Sequence, residues 1–346
     1  RLSILDLSKL GHQPSDYAHS GRRVVITYTG EIYNFREIRQ QLEQKGYTFR
    51  SSTDTEIIPA AYLEWGAGCV EKFNGMWAFA LYDSSNKQLL LSRDRFGEKP
   101  LYYYLQNGKL VFASEIKAIL EHPVQRRSNS DAVSEYLYKG RASHNHDTFF
   151  QGIKMLPPAH NAVFDLRSGN LSLTKYYTPQ FGSRRVSSDE FLNVMKKSVA
   201  RRLVSDVPVS VSLSSGVDSS SIAALISEFT DIPVKAFTTA TGLSVGDETG
   251  LIRKLLKQYP NYILEGTSLS EASFCANYRH IIYHMDEPFA RQSSYVRWEI
   301  ANLTRLHGLK VLLNGEGADE ILGGYVPFAP HYLLNLARDF NMIRFV

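Results

Sequence analysis

The chain has 346 residues and a mass of 39.2 kDa, which suits two domains at roughly 100–200 residues each. With 43% hydrophobic and 21% charged residues, each half can bury a core, which excludes a disordered tail or a fibrous repeat. Its 39 basic and 35 acidic side chains leave a net charge of +4. That is too even to indicate nucleic acid or a membrane surface, and no stretch approaches the ~18 uncharged apolar residues of a membrane span.

Only two cysteines occur, Cys69 and Cys275, far apart and in no metal-type spacing, which fits a reducing, cytoplasmic setting. The sequence opens on Arg1 and stops at Phe345-Val346 within an apolar helical pattern. It therefore reads as an internal fragment of a longer protein, with no signal-type segment at its start. There is no internal repeat and no low-complexity tract.

Leu2–Leu5 reads as a strand, and Val24–Tyr28 as a short apolar strand ending at a Thr29-Gly30 turn. Phe35, Ile38 and Leu42 fall on one face of a helix over about 35–45 that Gly46 stops. A second helix is expected near Asp54 as cap, with Pro59 disturbing its middle. Four strand-like runs follow, Met76–Asp83, Gln88–Arg93, Leu101–Leu105 and Lys109–Ala113. Their succession implies an antiparallel sheet and, with the helices, an α+β layered domain. Residues from about 121 to 187 read as turn-rich, with a hairpin near Ala162–Leu166 and Leu171–Tyr176. The domain boundary is placed in this tract, giving domains 1–182 and 183–346.

Beyond it the order changes. A helix at Ser188–Val204 precedes strand Pro208–Leu213, helix Asp218–Glu228, strand Val234–Thr238, helix Glu248–Tyr259 and strand Tyr262–Glu265. Helices at Glu271–His284 and Tyr295–His307 then lead to strand Lys310–Leu313. This alternation predicts a doubly wound parallel sheet, so the chain is α/β overall.

Two motifs follow strands of this second part. In Ser214-Ser215-Gly216-Val217-Asp218-Ser219-Ser220, the Gly lets backbone N–H groups close on an anion at a helix start, and the serine hydroxyls add donors. It is neither the G-x-x-x-x-G-K-[ST] loop nor the G-x-G-x-x-G fingerprint. A Ser-rich helix cap is the plain alternative. Asn314-Gly315-Glu316-Gly317-Ala318-Asp319-Glu320, followed by Gly323-Gly324-Tyr325, puts three carboxylates in five residues, a pattern suited to Mg²⁺ or proton transfer. The alternative is an acidic surface turn. Asp286-Glu287-Pro288 and Ser293-Ser294 read as a loop-to-helix join, where helix capping by the acids is the plain alternative to a place beside the site. His144-Asn145-His146 lacks a third ligand and reads as loop.

The first motif resembles the S-G-G-x-D-S pyrophosphate loop of adenylate-forming ATP pyrophosphatases, with Ser215 where that family has Gly. The second is similar to the S-G-E-G-x-D-E-x-x-G-G-Y signature of asparagine synthetases, with Asn314 in place of Ser. The resemblance implies that Ser214, Ser215, Gly216 and Ser219 hold the pyrophosphate of ATP, and that Asp218 and Asp319 sit at Mg²⁺. It also implies that Glu316 serves adenylate formation as the catalytic residue, that Asn314 and Gly315 lie against the nucleotide, and that Leu213 and Thr239 touch the adenosine.

The first part carries its own segments: Arg1-Leu2-Ser3-Ile4, Thr29-Gly30-Glu31-Ile32-Tyr33-Asn34, Ser52-Thr53-Asp54-Thr55-Glu56, Arg93–Tyr102 and Phe112–Glu115. In these it resembles class II glutamine amidotransferases, an Ntn-type fold. The implied roles are chemically consistent. Arg1 takes the glutamine α-carboxylate as a bidentate guanidinium. Asp54 takes the α-amine, with Glu31. The N–H of Gly30, in a turn, donates to the oxyanion. Leu2, Ser3 and Thr29 complete that set. The family's N-terminal Cys nucleophile precedes this sequence, and its Asn oxyanion donor is Thr29 here.

The resemblance to glutamine-hydrolysing asparagine synthetases covers nearly the whole chain. It implies that ATP activates the β-carboxylate of aspartate as an adenylate, with glutamine or ammonia as nitrogen donor and AMP and pyrophosphate as products. Glutamine, aspartate and ATP are the expected partners; the sequence leaves the oligomeric state open, with a homodimer as one option. Two rivals stand beside this reading. One is a related amidotransferase or lactam-forming synthetase acting on another carboxylate. The other is a non-catalytic nucleotide-binding homologue.

Overall fold

A computed structural model of the chain describes residues 3–140, 146–180, 186–240, 249–289 and 292–338. The chain forms two compact units, Arg1–Val207 with Ser270–Trp298, and Pro208–Leu269 with Glu299–Val346. No helix among the described residues is long and apolar enough to cross a membrane.

In the first unit, strands β1 (Ser15–His19) and β2 (Arg22–Ile32) precede helices α1 (Phe35–Glu43) and α2 (Ile57–Trp65). Then come β3 (Gly75–Asp83), β4 (Gln88–Arg93), β5 (Tyr102–Gln106), β6 (Lys109–Ala113), α3 (Ile116–Leu120), α4 (Ser130–Lys139), β7 (Ile153–Met155), β8 (His160–Asp165), β9 (Leu171–Lys175) and α5 (Ser188–Arg202). A six-stranded antiparallel sheet has the order β1-β2-β3-β4-β8-β9, and β6-β5-β7 form a second, antiparallel sheet.

Strand alternation sorts β3 between two cores. Trp77, Phe79 and Leu81 join Ile38 and Leu42 of α1 and Ile57 and Ile58 of α2 in one cluster. Ala78 and Ala80 on the other face join Leu101 and Tyr103 in another. The result is the expected α+β layering of helices, sheet and sheet. The expected hairpin is β8 and β9, at the edge of the larger sheet.

Several local expectations are corrected. Ser3, Ile4 and Leu5 are not in a strand; Asp6 takes a left-handed φ of 47°, which breaks extension there. Arg1 and Leu2 lie outside the described residues. β2 does not stop at Thr29-Gly30 but runs on to Ile32, because β3 pairs with it to the end, Gly30 opposite Trp77 and Ile32 opposite Gly75. Helix α2 begins at Ile57, so Pro59 falls in its first turn, where no helical N–H is lost. The tract from 121 to 187 also holds α4, which Asn129 caps through Asp131 and Ala132 N–H and Gly140 ends at φ +62°.

Arg93 and Asp94, in one of the motif segments, form a structural joint. Fully buried Asp94 accepts from the N–H groups of Trp77, Phe96, Glu98 and Lys99. Arg93 donates to the carbonyls of Lys99, Leu156 and Gly97.

The second unit holds β10 (Val209–Ser212), α6 (Val217–Phe229), β11 (Val234–Ala240), α7 (Thr249–Leu256) and β12 (Tyr262–Ser268). After α8 (Glu271–Met285), which folds with the first unit, and α9 (Ser293–Leu306), which belongs to the second unit from Glu299 on, come β13 (Val311–Leu313), α10 (Ala318–Leu322) and α11 (Ala329–Arg338). The sheet is parallel throughout, in the order β12-β11-β10-β13. The chain winds outward from β10 to β12 and returns to β13 on the other side of β10. That reversal is a topological switch point, where parallel sheets open a crevice at the carboxyl ends of the strands.

Asp286 and Glu287 do not cap the helix that follows them. Asp286 ends α8 at a left-handed φ of 65°, accepts from the N–H groups of Ile116 and Lys117, and pairs with the Lys117 ammonium at 3.0 Å. Glu287 accepts from Phe149 N–H at 2.7 Å. Burial pushes the Glu287 carboxyl up, the Phe149 bond opposes this, and Asp286 adds to the rise. A carboxyl raised in the folded state stabilises fully below its ordinary value, and that contribution is lost as pH rises through the folded value. Glu287→Gln keeps an acceptor for Phe149 without the charge. It is expected to raise the melting temperature at pH 8 and leave it nearly unchanged at pH 4; thermal melts at the two pH values check this.

Candidate functional site

In the first unit the polar residues of the motifs gather at the end of β2. Thr29, Gly30, Glu31 and Asp54 line one cavity of about 10 Å3 together with Ile4, Leu5 and Tyr28. A larger pocket of about 590 Å3, in the range that takes small ligands, shares Tyr28 and Thr29 and reaches Ser3. Asp54 is 4% exposed and does not cap α2. One of its carboxylate oxygens accepts from Tyr28 Oη at 2.6 Å and from Ile32 N–H at 2.8 Å. Burial first, then the Asp54 charge, push the Tyr28 phenol far up, so it stays a neutral donor. Asp54→Ala strands two buried donors at about 1–3 kcal/mol each. It should lower unfolding free energy by about 3 kcal/mol in a denaturant titration, whereas Asp54→Asn, which keeps one acceptor, should cost less.

Gly30 is corrected from turn to strand. Its φ is +145° and a Cβ there would stand 2.1 Å from the Met76 carbonyl oxygen. The glycine is required by the close approach of β3 rather than by a reversal of the chain. Ile4, Leu5 and Tyr28 belong to the pocket although the motif roles did not include them. The alternation of β2 carried a signal for Tyr28; Ile4 and Leu5 depend on how their segment packs.

In the second unit the two loops leave adjacent strands at the switch point. β10 and β13 pair with Val211 opposite Leu313, so Leu213 and Asn314 start their loops side by side. Leu213 is 2% exposed, and its N–H bonds the Phe237 carbonyl on β11. Thr239 lies near the carboxyl end of β11, opposite Thr267.

The serine loop is organised around Ser219 Oγ, which accepts from Ser214 N–H at 3.1 Å and lies 2.8 Å from Ser214 Oγ. Gly216, not a serine, occupies the cap position of α6, without a side-chain bond, and its N–H bonds Ser214 Oγ at 3.2 Å. Asn314 folds its own loop by accepting the Glu316 N–H at 3.2 Å. Gly315 meets the serine loop directly: a Cβ there would lie 2.9 Å from Asp218 Cβ and 3.0 Å from Ser219 N. Ser214, Asp218, Ser219 and Gly315 therefore lie together.

Asp319 Oδ1 fills the space beside Gly324, where a Cβ would be 1.8 Å away, and the Asp319 carbonyl accepts the N–H groups of Gly323 and Gly324. Tyr325 Oη donates to Glu320 at 2.8 Å. Among the described residues no three Asp, Glu, His or Cys side chains gather as a metal site.

The chain thus joins an antiparallel, layered unit with a polar pocket at the end of β2 to a parallel-sheet unit with a Ser/Gly loop at its switch point. Residues 1–177 match the family model of the glutamine amidotransferase domain, and residues 190–343 match that of asparagine synthase. The chain belongs to the glutamine-hydrolysing asparagine synthetase family.

It is 32% identical to a candidate glutamine-hydrolysing asparagine synthetase of Methanocaldococcus jannaschii, over 98% of this chain and 68% of that protein. It is 31% identical to glutamine-hydrolysing asparagine synthetase 3 of Bacillus subtilis, over 94% and 55%. The chain thus spans between about half and two thirds of the length of these relatives. The solved glutamine phosphoribosylpyrophosphate amidotransferase from B. subtilis aligns with a TM-score of 0.37 at 13% identity, over 89% of this chain and 74% of that one.

Proposed function

We propose that the protein makes asparagine from aspartate with glutamine or ammonia as nitrogen donor, through a β-aspartyl adenylate, releasing AMP and pyrophosphate. The observation that carries this reading is the contact of Gly315 with Asp218 and Ser219 at the switch point. There, backbone N–H groups and hydroxyls of 214–219 would bind the phosphates of ATP, beside the carboxylates of the second loop. Leu213 and Thr239 would receive the adenosine. Glu316 would act where the acyl-adenylate forms. Asp218 and Asp319 would hold Mg²⁺, which supplies charge neutralisation on the departing pyrophosphate.

In the first unit, Asp54 with Glu31 would bind the glutamine α-amine, Arg1 its α-carboxylate, and Gly30 N–H with Thr29 the amide oxygen. The thiol nucleophile of this chemistry is not Cys69, which is fully buried with its thiol pushed up to about 12. Nor does Cys275, on α8, line the pocket. Both cysteines are free, which supports a cytoplasmic setting.

Losing an oxyanion donor costs on the order of 10²–10³ in kcat. Thr29→Asn should therefore raise glutamine hydrolysis by roughly tenfold or more, measured as glutamate release. The experiment that tests the whole reading follows AMP and pyrophosphate release by the full-length protein from ATP, Mg²⁺ and ammonia, with and without aspartate. Aspartate-dependent release is expected. Release that ignores aspartate would move the reading to another carboxylate, and ATP binding without release would point to a non-catalytic homologue.

A further inference from the structure

The asparagine synthase match begins at residue 190, yet α5 and the turn after it fold with the first unit, which runs to Val207. Resting on the glutamine-pocket reading above, we propose that this turn braces the pocket, with Arg202 and Asp206 as its positioning residues.

The brace grips the pocket at two places. Asp206 holds the Ile4–Asp6 segment by a pair of bonds: its N–H donates to the Ile4 carbonyl at 2.9 Å, and its carboxylate accepts the Asp6 N–H at 2.8 Å. Ile4 and Leu5, which line the cavity with Thr29, Gly30 and Asp54, lie inside this grip. Asp6 extends it, since its carboxylate accepts from Ser8 N–H and from Ser52 N–H and Oγ, two residues before Asp54. The segment has no strand pairing of its own, so these bonds set where its backbone lies.

Arg202 holds the chain just past the end of β2. Its guanidinium lies 4.5 Å from the Tyr33 ring centroid, two residues beyond Glu31. The same guanidinium bonds Ser198 O and Oγ on its own helix, which fixes it before it meets the ring. Arg201 adds an ion pair to Glu37 at 2.8 Å, exposed on both sides and so of small worth. Val204, between the two positioning residues, packs against the core that contains Tyr28 and Ile32. From this turn the chain passes directly into β10 and the serine loop, so one continuous stretch serves both units.

The test uses the full-length protein and measures glutamine hydrolysis and ammonia-driven pyrophosphate release side by side. Asp206→Ala loses the hydrogen bond from Asp6 N–H, and Arg202→Ala loses the cation–π contact with Tyr33 together with the two bonds to Ser198. Each should raise the glutamine KM roughly fivefold with kcat within about twofold. Ammonia-driven release should stay at the wild-type level. Asp206→Asn, which still accepts the Asp6 N–H, should restore the KM. Equal KM values in wild type and both alanine variants would overturn the brace alone. So would an Asn variant as impaired as Ala, or a parallel fall of ammonia-driven release. A wild-type protein that does not use glutamine would instead overturn the pocket reading, and the brace with it.

Discussion

Gly30→Ala is expected to be among the most damaging single substitutions in the first unit. A Cβ at Gly30 would stand 2.1 Å from the Met76 carbonyl oxygen and 2.7 Å from Trp77 Cα. Both obstacles are backbone, so no rotamer change relieves them. Gly75 faces the same constraint from the other strand, 2.1 Å from the Glu31 carbonyl oxygen. β2 and β3 would have to separate where the pocket is lined, and Trp77, 0% exposed, would move with them. Overpacking of this kind typically costs about 1–3 kcal/mol, and the backbone conformation adds to it. A loss of about 3–5 kcal/mol is expected by urea titration, with glutamine binding abolished. Gly21→Ala is the control: it also has a positive φ, +78°, but nothing lies within 4 Å, so only the backbone cost of about 1 kcal/mol should appear.

Gly315→Ala is expected to act on the second unit. The added methyl would press on Asp218 Cβ at 2.9 Å and Ser219 N at 3.0 Å, driving the two loops apart. A misplacement of about 1 Å can cost about 10²-fold in rate. ATP-dependent pyrophosphate release should fall by about that factor, while glutamine hydrolysis, in the other unit, stays within about twofold. Equal rates in wild type and variant would separate the two loops functionally and remove the main support for the adenylate reading.

Much of this was legible in the sequence because it is local. Ser214–Ser220 sits between an apolar strand and a helix wherever that strand goes, and the placement of that loop was readable from the run alone. The periodicities of 35–45 and 76–83 were readable for the same reason, since side-chain spacing within an element does not depend on its neighbours. Polar or short elements were not. β1 has the sequence Ser-Asp-Tyr-Ala-His and buries only Tyr17; it is a strand because β2 pairs with it. β7 has three residues, too few for any period.

The sequence by itself determined the family, the order of antiparallel and parallel sheets, and which residue types stand at each loop. Tertiary structure decided what those loops meet. Gly30 looks like a turn glycine until β3 lies across it. Asp54 looks like a helix cap until Tyr28 and Ile32 claim its oxygen. Gly315 and Asp218 are far apart in sequence, and only the return of the chain to place β13 beside β10 brings them into contact. Register and strand order are set by pairings between distant segments, and no local pattern records them.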